Sequence, residues 1–190
     1  EADPDGLAAR ERFGSRELDS DLLHVVCHAP AEWTWYRDAL PEPDYPWRYV
    51  RAAVHRAADR GAVETRRSGN RVEIRRTAPY PDWVRRIVAV ENKPDLDRSA
   101  AARLGDQLRH DVERSPADEV WVATARTGGE VEPALLADLP VEAGVLTVSR
   151  DGRGRATADV AWHPGSLDRA GERDRRSVIA ERAYGRGFRD

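Results

Sequence analysis

Apolar residues recur along this chain at two different spacings. From Trp47 to Arg60 they fall at Tyr49 or Val50, Ala53, Val54 and Ala57, which is the stripe of a half-buried helix, and Gly61 stops it. The next stretch alternates instead. Val72 and Ile74 point one way and Arg71, Glu73 and Arg75 the other, so AVETRRSGNRVEIRR reads as a hairpin turning at Ser68-Gly69-Asn70. The run LLHVVCHA (Leu22–Ala29) is Val-rich and reads as a buried strand. DWV and IVAVEN, parted only by Arg85-Arg86, read as a short strand, a tight turn and a buried strand. A helix over residues 99–114 follows, with Ser99 as N-cap and Leu104, Leu108 and Val112 on one stripe. The rest reads as strand Glu119–Ala125, a short helix Val131–Asp138, strands AGVLTVS and RATADVAWH, and a charged helix over 168–184 ending at Gly185.

This alternation predicts an α/β chain with a central mixed sheet flanked by helices. It divides into a lead over 1–46 holding one strand, a core over 47–165, and a basic helix and tail over 166–190. Prolines in PEPDYP (Pro41–Pro46) and TAPYP break the chain between elements. No internal repeat is evident. Residue 1 is Glu rather than Met, which points to a missing N-terminal piece.

Composition narrows the class. The 190 residues are 40% hydrophobic and 34% charged with a net charge of −3, which argues against disorder and against a general polycation. No apolar run approaches the roughly 18 residues of a spanning helix, so no membrane partner is expected. One cysteine, Cys27, excludes an internal disulfide and suits a reducing cytoplasm. Lysine is the informative residue. Lys93 is the only one, against thirty arginines. In a chain that uses arginine wherever a generic cation will do, the surviving lysine marks a place for a compact ammonium.

Lys93 follows Glu91 by two residues at the end of the IVAVEN run. Strand alternation puts Glu91 and Lys93 on one face and Asn92 on the other. A tight connection between DWV and IVAVEN would bring Asp82 beside Glu91. Two carboxylates, the Asn92 carbonyl and one ammonium would then suit Mg²⁺ or Mn²⁺ and phosphodiester hydrolysis. In that arrangement the lysine positions the attacking water and offsets charge on the phosphate oxygens.

At these residues the chain resembles the PD-(D/E)XK, restriction-endonuclease-like nuclease superfamily, through YPD, VENK and the helix and strand that follow, over about Pro46 to Ala125. The resemblance implies an αβββαβ core, metal ligation at Asp82 and Glu91, a catalytic Lys93, and support from Gln107. Asp111 stands where many superfamily members carry Tyr, and a further acidic ligand is not identified. More narrowly, PYPDWVRRIVAVENKPDL, DQLRHDV, DEVWVATA and RRSVIAERAYGRGFR resemble segments of an uncharacterised family of haloarchaeal proteins. The expected function is a metal-dependent nuclease acting on DNA rather than RNA; a homodimer is left open.

Charge and aromatic placement support a second expectation. Residues 47–86 hold eleven arginines against four acids, a local balance of +7. Arg66, Arg67, Arg75, Arg76, Arg85 and Arg86 are the expected nucleic-acid contacts. The helix and hairpin also have the outline of the second half of a winged helix, with Arg66 to Arg76 as the wing, so a non-catalytic nucleic-acid-binding module is the rival reading. Trp33, Trp35 and Tyr36 read as packing over a sheet edge, with base stacking as the alternative. His24, Cys27 and His28 lie close in sequence but have no second ligand pair, and read as incidental to a strand.

Overall fold

The computed structural model describes residues 1–93, 98–125, 137–169 and 171–187. The chain forms two compact units, Glu1–Arg85 with Glu172–Asp190, and Arg86–Gly171. In chain order the elements are α1 (Pro4–Glu11), α2 (Ser20–His28), β1 (Thr34–Trp35), α3 (Tyr36–Ala39), α4 (Trp47–Asp59), β2 (Val63–Ser68), β3 (Arg71–Arg76), β4 (Val88–Lys93), α5 (Arg98–Arg114), β5 (Glu119–Ala125), β6 (Ala143–Arg150), β7 (Ala156–Trp162) and α6 (Arg173–Gly187).

The first unit packs its helices on an antiparallel sheet of order β1-β3-β2. α4 is the predicted helix, and its stripe Val50, Ala53, Val54 and Ala57 is fully buried. Gly61, at φ 72°, takes the left-handed position just past it, and the Ala62 amide closes back on the Ala57 carbonyl at 2.9 Å. The hairpin is also as expected. Ser68 pairs with Arg71, so Gly69-Asn70 is a two-residue turn, and Gly69 takes the positive φ (59°) that such a turn needs. Val63, Val72 and Ile74 face the core.

Two expectations fail in this unit. Leu22–Ala29 is not a strand but α2. Asp19 caps it, accepting the Leu22 amide at 2.9 Å, and Leu22, Leu23, Val25 and Val26 form its buried stripe. A short valine-rich run fits either period, and the cap decides. DWV is not a ladder strand: only Val84 forms a bridge, with Ala2. Pro79 and Pro81 lack the amide a ladder requires. Instead, Tyr80 and Trp83 bury their rings.

The second unit is a mixed sheet of order β4-β5-β6-β7, with β4, β5 and β6 parallel and β7 antiparallel. α5 forms the crossover from β4 to β5. Leu104 and Leu108 pack on Val120, Val122, Ala143 and Val145, all on one sheet face. Gly105 lets α5 approach closely, since a Cβ there would stand 2.4 Å from the Asp138 carbonyl oxygen. On the opposite face Trp121 covers Gly144, while Val88, Val90 and Val160 stay exposed.

The chain is therefore α/β with helices and sheets interleaved, but the single central sheet is corrected to two. The hairpin pairs with β1, and β4 pairs with β5. The proline-rich segment between β3 and β4 ends one ladder before the other begins. The division into units also falls at Arg85/Arg86, inside the span read as one core. The charged C-terminal helix begins at Arg173 rather than 168 and runs through Gly185 to Gly187. Most of the short helix Val131–Asp138 and the Ser99 cap side chain lie outside the described residues.

Candidate functional site

β4 is an edge strand whose alternate residues Ala89, Glu91 and Lys93 are half-buried while Val88, Val90 and Asn92 are exposed. Glu91 and Lys93 thus share the face that carries α5, as their spacing predicts. The Lys93 Nζ stands 2.9 Å from Glu91 Oε1, and both side chains are about one-third exposed. Asn92 projects from the opposite face. Gln107 lies on α5 and is exposed. Asp82 belongs to the first unit; it is exposed, in no strand, and bonded to no other described residue. The half of the site that the structure brings together is Glu91 with Lys93.

That half does not make a metal centre by itself. A Mg²⁺ site takes several hard oxygen ligands, commonly one or two carboxylates. Among the described residues no group of three or more His, Cys, Asp or Glu is placed to hold a metal ion. β4 supplies one carboxylate, already paired with the ammonium.

The predicted arginines separate by role. Arg66 pairs with Glu73 and Arg75 with Glu64, both across the hairpin on its outer face. Arg85 pairs with Asp3 in the first unit, and Arg86 with Glu119 in the second. Arg67, Arg71 and Arg76 are exposed and form no ion pair among the described residues. The outer hairpin face also carries tryptophan, which the sequence alone could not place. The Arg66 and Arg75 guanidiniums lie 4.6 and 4.8 Å from the Trp33 ring centre, and Arg71 lies 4.6 Å from that of Trp35. On α4, with its apolar stripe buried, Arg48, Tyr49, Arg51, Ala52 and His55 face outward. Arg56 is tied to Asp19 and Asp21.

Other residues take up the YPDW and AERAYG segments, whose meeting the sequence did not reveal. Glu181 on α6 is fully buried. It accepts from Arg10 Nε and Nη2, each at 2.5 Å, from the Leu18 amide at 2.7 Å and from the Tyr80 hydroxyl at 2.6 Å. The Trp83 indole donates to the Tyr80 oxygen at 3.1 Å, and Arg10 stacks 4.1 Å over the Tyr184 ring. Burial, and then the Glu181 charge, raise the Tyr80 pKa, so its hydroxyl remains a donor. With its lone pairs used, the pair is a structural clamp, and the tyrosine of YPDW belongs to that clamp.

One family model matches the chain over residues 1–173. The chain belongs to DUF5787, a family of unknown function. The DUF5787 match takes in all of the second unit and the first unit up to the start of α6, so Glu181 and Tyr184 lie beyond it. No curated protein and no solved structure matches the chain. Membership of DUF5787 carries no activity with it, so chemistry rests on the residues. No described helix is long and apolar enough to cross a membrane.

Proposed function

We propose that the first unit is a nucleic-acid-binding module of winged-helix type, with α4 as the reading helix and the β2–β3 hairpin as the wing. The observation that carries this is topological. The order α2, β1, α3, α4, β2, β3 with antiparallel sheet order β1-β3-β2 is the winged-helix order. It supplies the preceding helices that the sequence left unclear. The exposed row on α4 then meets base edges and phosphates, and Arg66, Arg67 and Arg71 near the wing tip reach the backbone. The ion pairs of Arg66 and Arg75 do not oppose this. Exposed pairs contribute about 0–1 kcal/mol each, so phosphates replace the carboxylates at small cost. Base stacking on an aromatic ring contributes about 1–3 kcal/mol. The first test is fluorescence anisotropy with duplex DNA, single-stranded DNA and RNA over a salt series. Duplex DNA should bind most tightly, with affinity falling steeply as salt rises; no binding to any of them would refute the reading.

A second reading, nuclease action, is favoured by the Glu91–Lys93 pair on an edge strand that leads through α5 into a parallel strand. Here Lys93 would offset charge on a phosphate oxygen and Glu91 would accept a proton from water. Because the described donors fall short of a Mg²⁺ set, no step is assigned to the metal. Incubation of plasmid, linear and branched DNA with Mg²⁺ or Mn²⁺, and with EDTA, tests it. Cleavage lost in Lys93→Arg would support a role for the ammonium beyond its charge. Binding without cleavage leaves the module as the whole function.

A further inference from the structure

We propose that the outer face of the β1-β3-β2 sheet is a stacking platform for single-stranded nucleic acid, with Trp33 and Trp35 as its rings, so that the first unit binds a duplex ending in a single-stranded tail more tightly than a blunt one. The tail preference rests on the winged-helix reading for its duplex contact; the platform itself does not. Ladder register builds the platform. Thr34 pairs with Ile74, which faces the core, and Trp35 pairs with Glu73, so Trp35 stands on the outer face. Trp33, two residues earlier, comes out on the same face, where the Arg66 and Arg75 guanidiniums lie 4.6 and 4.8 Å from its ring centre. Arg71 lies 4.6 Å and Arg37 5.7 Å from the ring centre of Trp35. The α4 stripe packs with Val72 and Ile74 on the other face. The β2–β3 hairpin therefore belongs to both surfaces, its tip to the duplex and its outer face to the tail.

The spacing of the rings selects a single strand. Side chains on alternate residues of an extended chain stand about 6.6 Å apart, roughly twice the 3.4 Å step of a duplex strand. Neighbouring bases seated on both rings cannot stay stacked on each other. Paired bases inside a duplex offer no free face, whereas unpaired bases do. Both rings are half-buried, which limits their motion. Trp35 packs one side against the core of the unit, and among the described residues Trp33 stands outside that core.

In the free protein the arginines occupy the rings. An exposed guanidinium over an aromatic ring strengthens a contact by about 2- to 5-fold, while a base stacked on the ring contributes about 5- to 150-fold. Bases therefore displace the guanidiniums, which then reach the phosphates between them. Around the two rings Arg37, Arg66, Arg71 and Arg75 face two carboxylates, Glu64 and Glu73, so the surface is net positive. An acidic peptide would meet this charge but leave the rings unused.

The test uses the full chain and fluorescence anisotropy with blunt duplex DNA, the same duplex carrying an oligothymidine or an oligouridine tail, and each oligomer alone. A tail should tighten binding by at least about tenfold, and the better of the two tails assigns the platform to DNA or to RNA. In Trp33→Ala the ratio of tailed to blunt affinity should fall by at least about fivefold. Trp33→Phe keeps a ring and should keep most of that ratio. Oligothymidine should also quench the tryptophan emission of the parent, and less so in Trp33→Phe. Equal affinity for tailed and blunt duplex in the parent, or the full ratio retained in Trp33→Ala, overturns the platform and leaves the contact of α4 with duplex standing. Trp33-dependent binding of single strands without binding of blunt duplex would instead refute the winged-helix reading and support the platform.

Discussion

The first unit buries charge, whereas the described core of the second buries almost none. Arg10 and Glu181 have side chains 0% and 1% exposed, yet every polar contact they need is supplied by Tyr80, the Leu18 amide and the Gly14 and Arg16 carbonyls. The second unit fills the space between α5 and its sheet with Leu104, Leu108, Val120, Val122 and Val145. Its charged pair, Glu91–Lys93, sits at the sheet edge where water reaches both groups. The difference teaches what each arrangement is good for. A fully satisfied buried pair specifies where α6 docks, because any other position strands a charge. A half-exposed pair at a strand edge holds little together and is free to meet a ligand.

Breaking the clamp should give the largest effect. Glu181→Ala leaves Arg10 buried without its partner and should destabilise by about 3–5 kcal/mol in denaturant unfolding. Hydrogen-exchange protection should fall in α1, α2 and α6. The double variant Arg10→Met with Glu181→Leu should recover only part of the loss, since it removes the stranded charge but leaves the Leu18 amide, the Tyr80 hydroxyl and the Gly14 and Arg16 carbonyls without these partners. A Glu181→Ala loss below about 1 kcal/mol would remove the clamp from the account. In the second unit the matching change is Leu108→Ala, which opens a cavity under the sheet and should cost about 2–5 kcal/mol, with exchange rising in β4 to β6.

A smaller effect is expected from acid. The His24 pKa is held below its ordinary value of 6.5, by burial first and by His28 second. The unfolded chain then takes up the proton before the folded one. Stability is therefore complete above pH 6.5 and declines as pH falls through the folded-state pKa. Thermal midpoints between pH 8 and 5 should show this, and His24→Gln should flatten the decline. An unchanged profile in His24→Gln would place the pH dependence elsewhere.

Local pattern made much of the fold readable before the structure. The stripe of α4 and the alternation of β3 are set by neighbours a few residues apart, and both elements formed where expected. The run Leu22–Ala29 was too short to show its period, and Asp19, which caps it, stands outside the run. The two-sheet division was hidden for another reason. Which strand β4 pairs with depends on partners beyond residue 118, not on anything within IVAVEN. At the site, alternation sufficed to bring Glu91 and Lys93 together. The role of Tyr80 depended on Glu181, 101 residues away, and no spacing rule reports such a contact.

The central claim is that α4 of the first unit meets nucleic acid, and its most direct test is the salt dependence of duplex binding in the parent and in Arg48→Ala/Arg51→Ala. Both positions are exposed and form no ion pair with another described residue, so the variant should fold as the parent does. If both arginines contact phosphates, the slope of log affinity against log salt should flatten by about 2, with affinity reduced at every salt concentration. A parent that binds duplex DNA with a slope and affinity that the double variant fully retains would contradict the account.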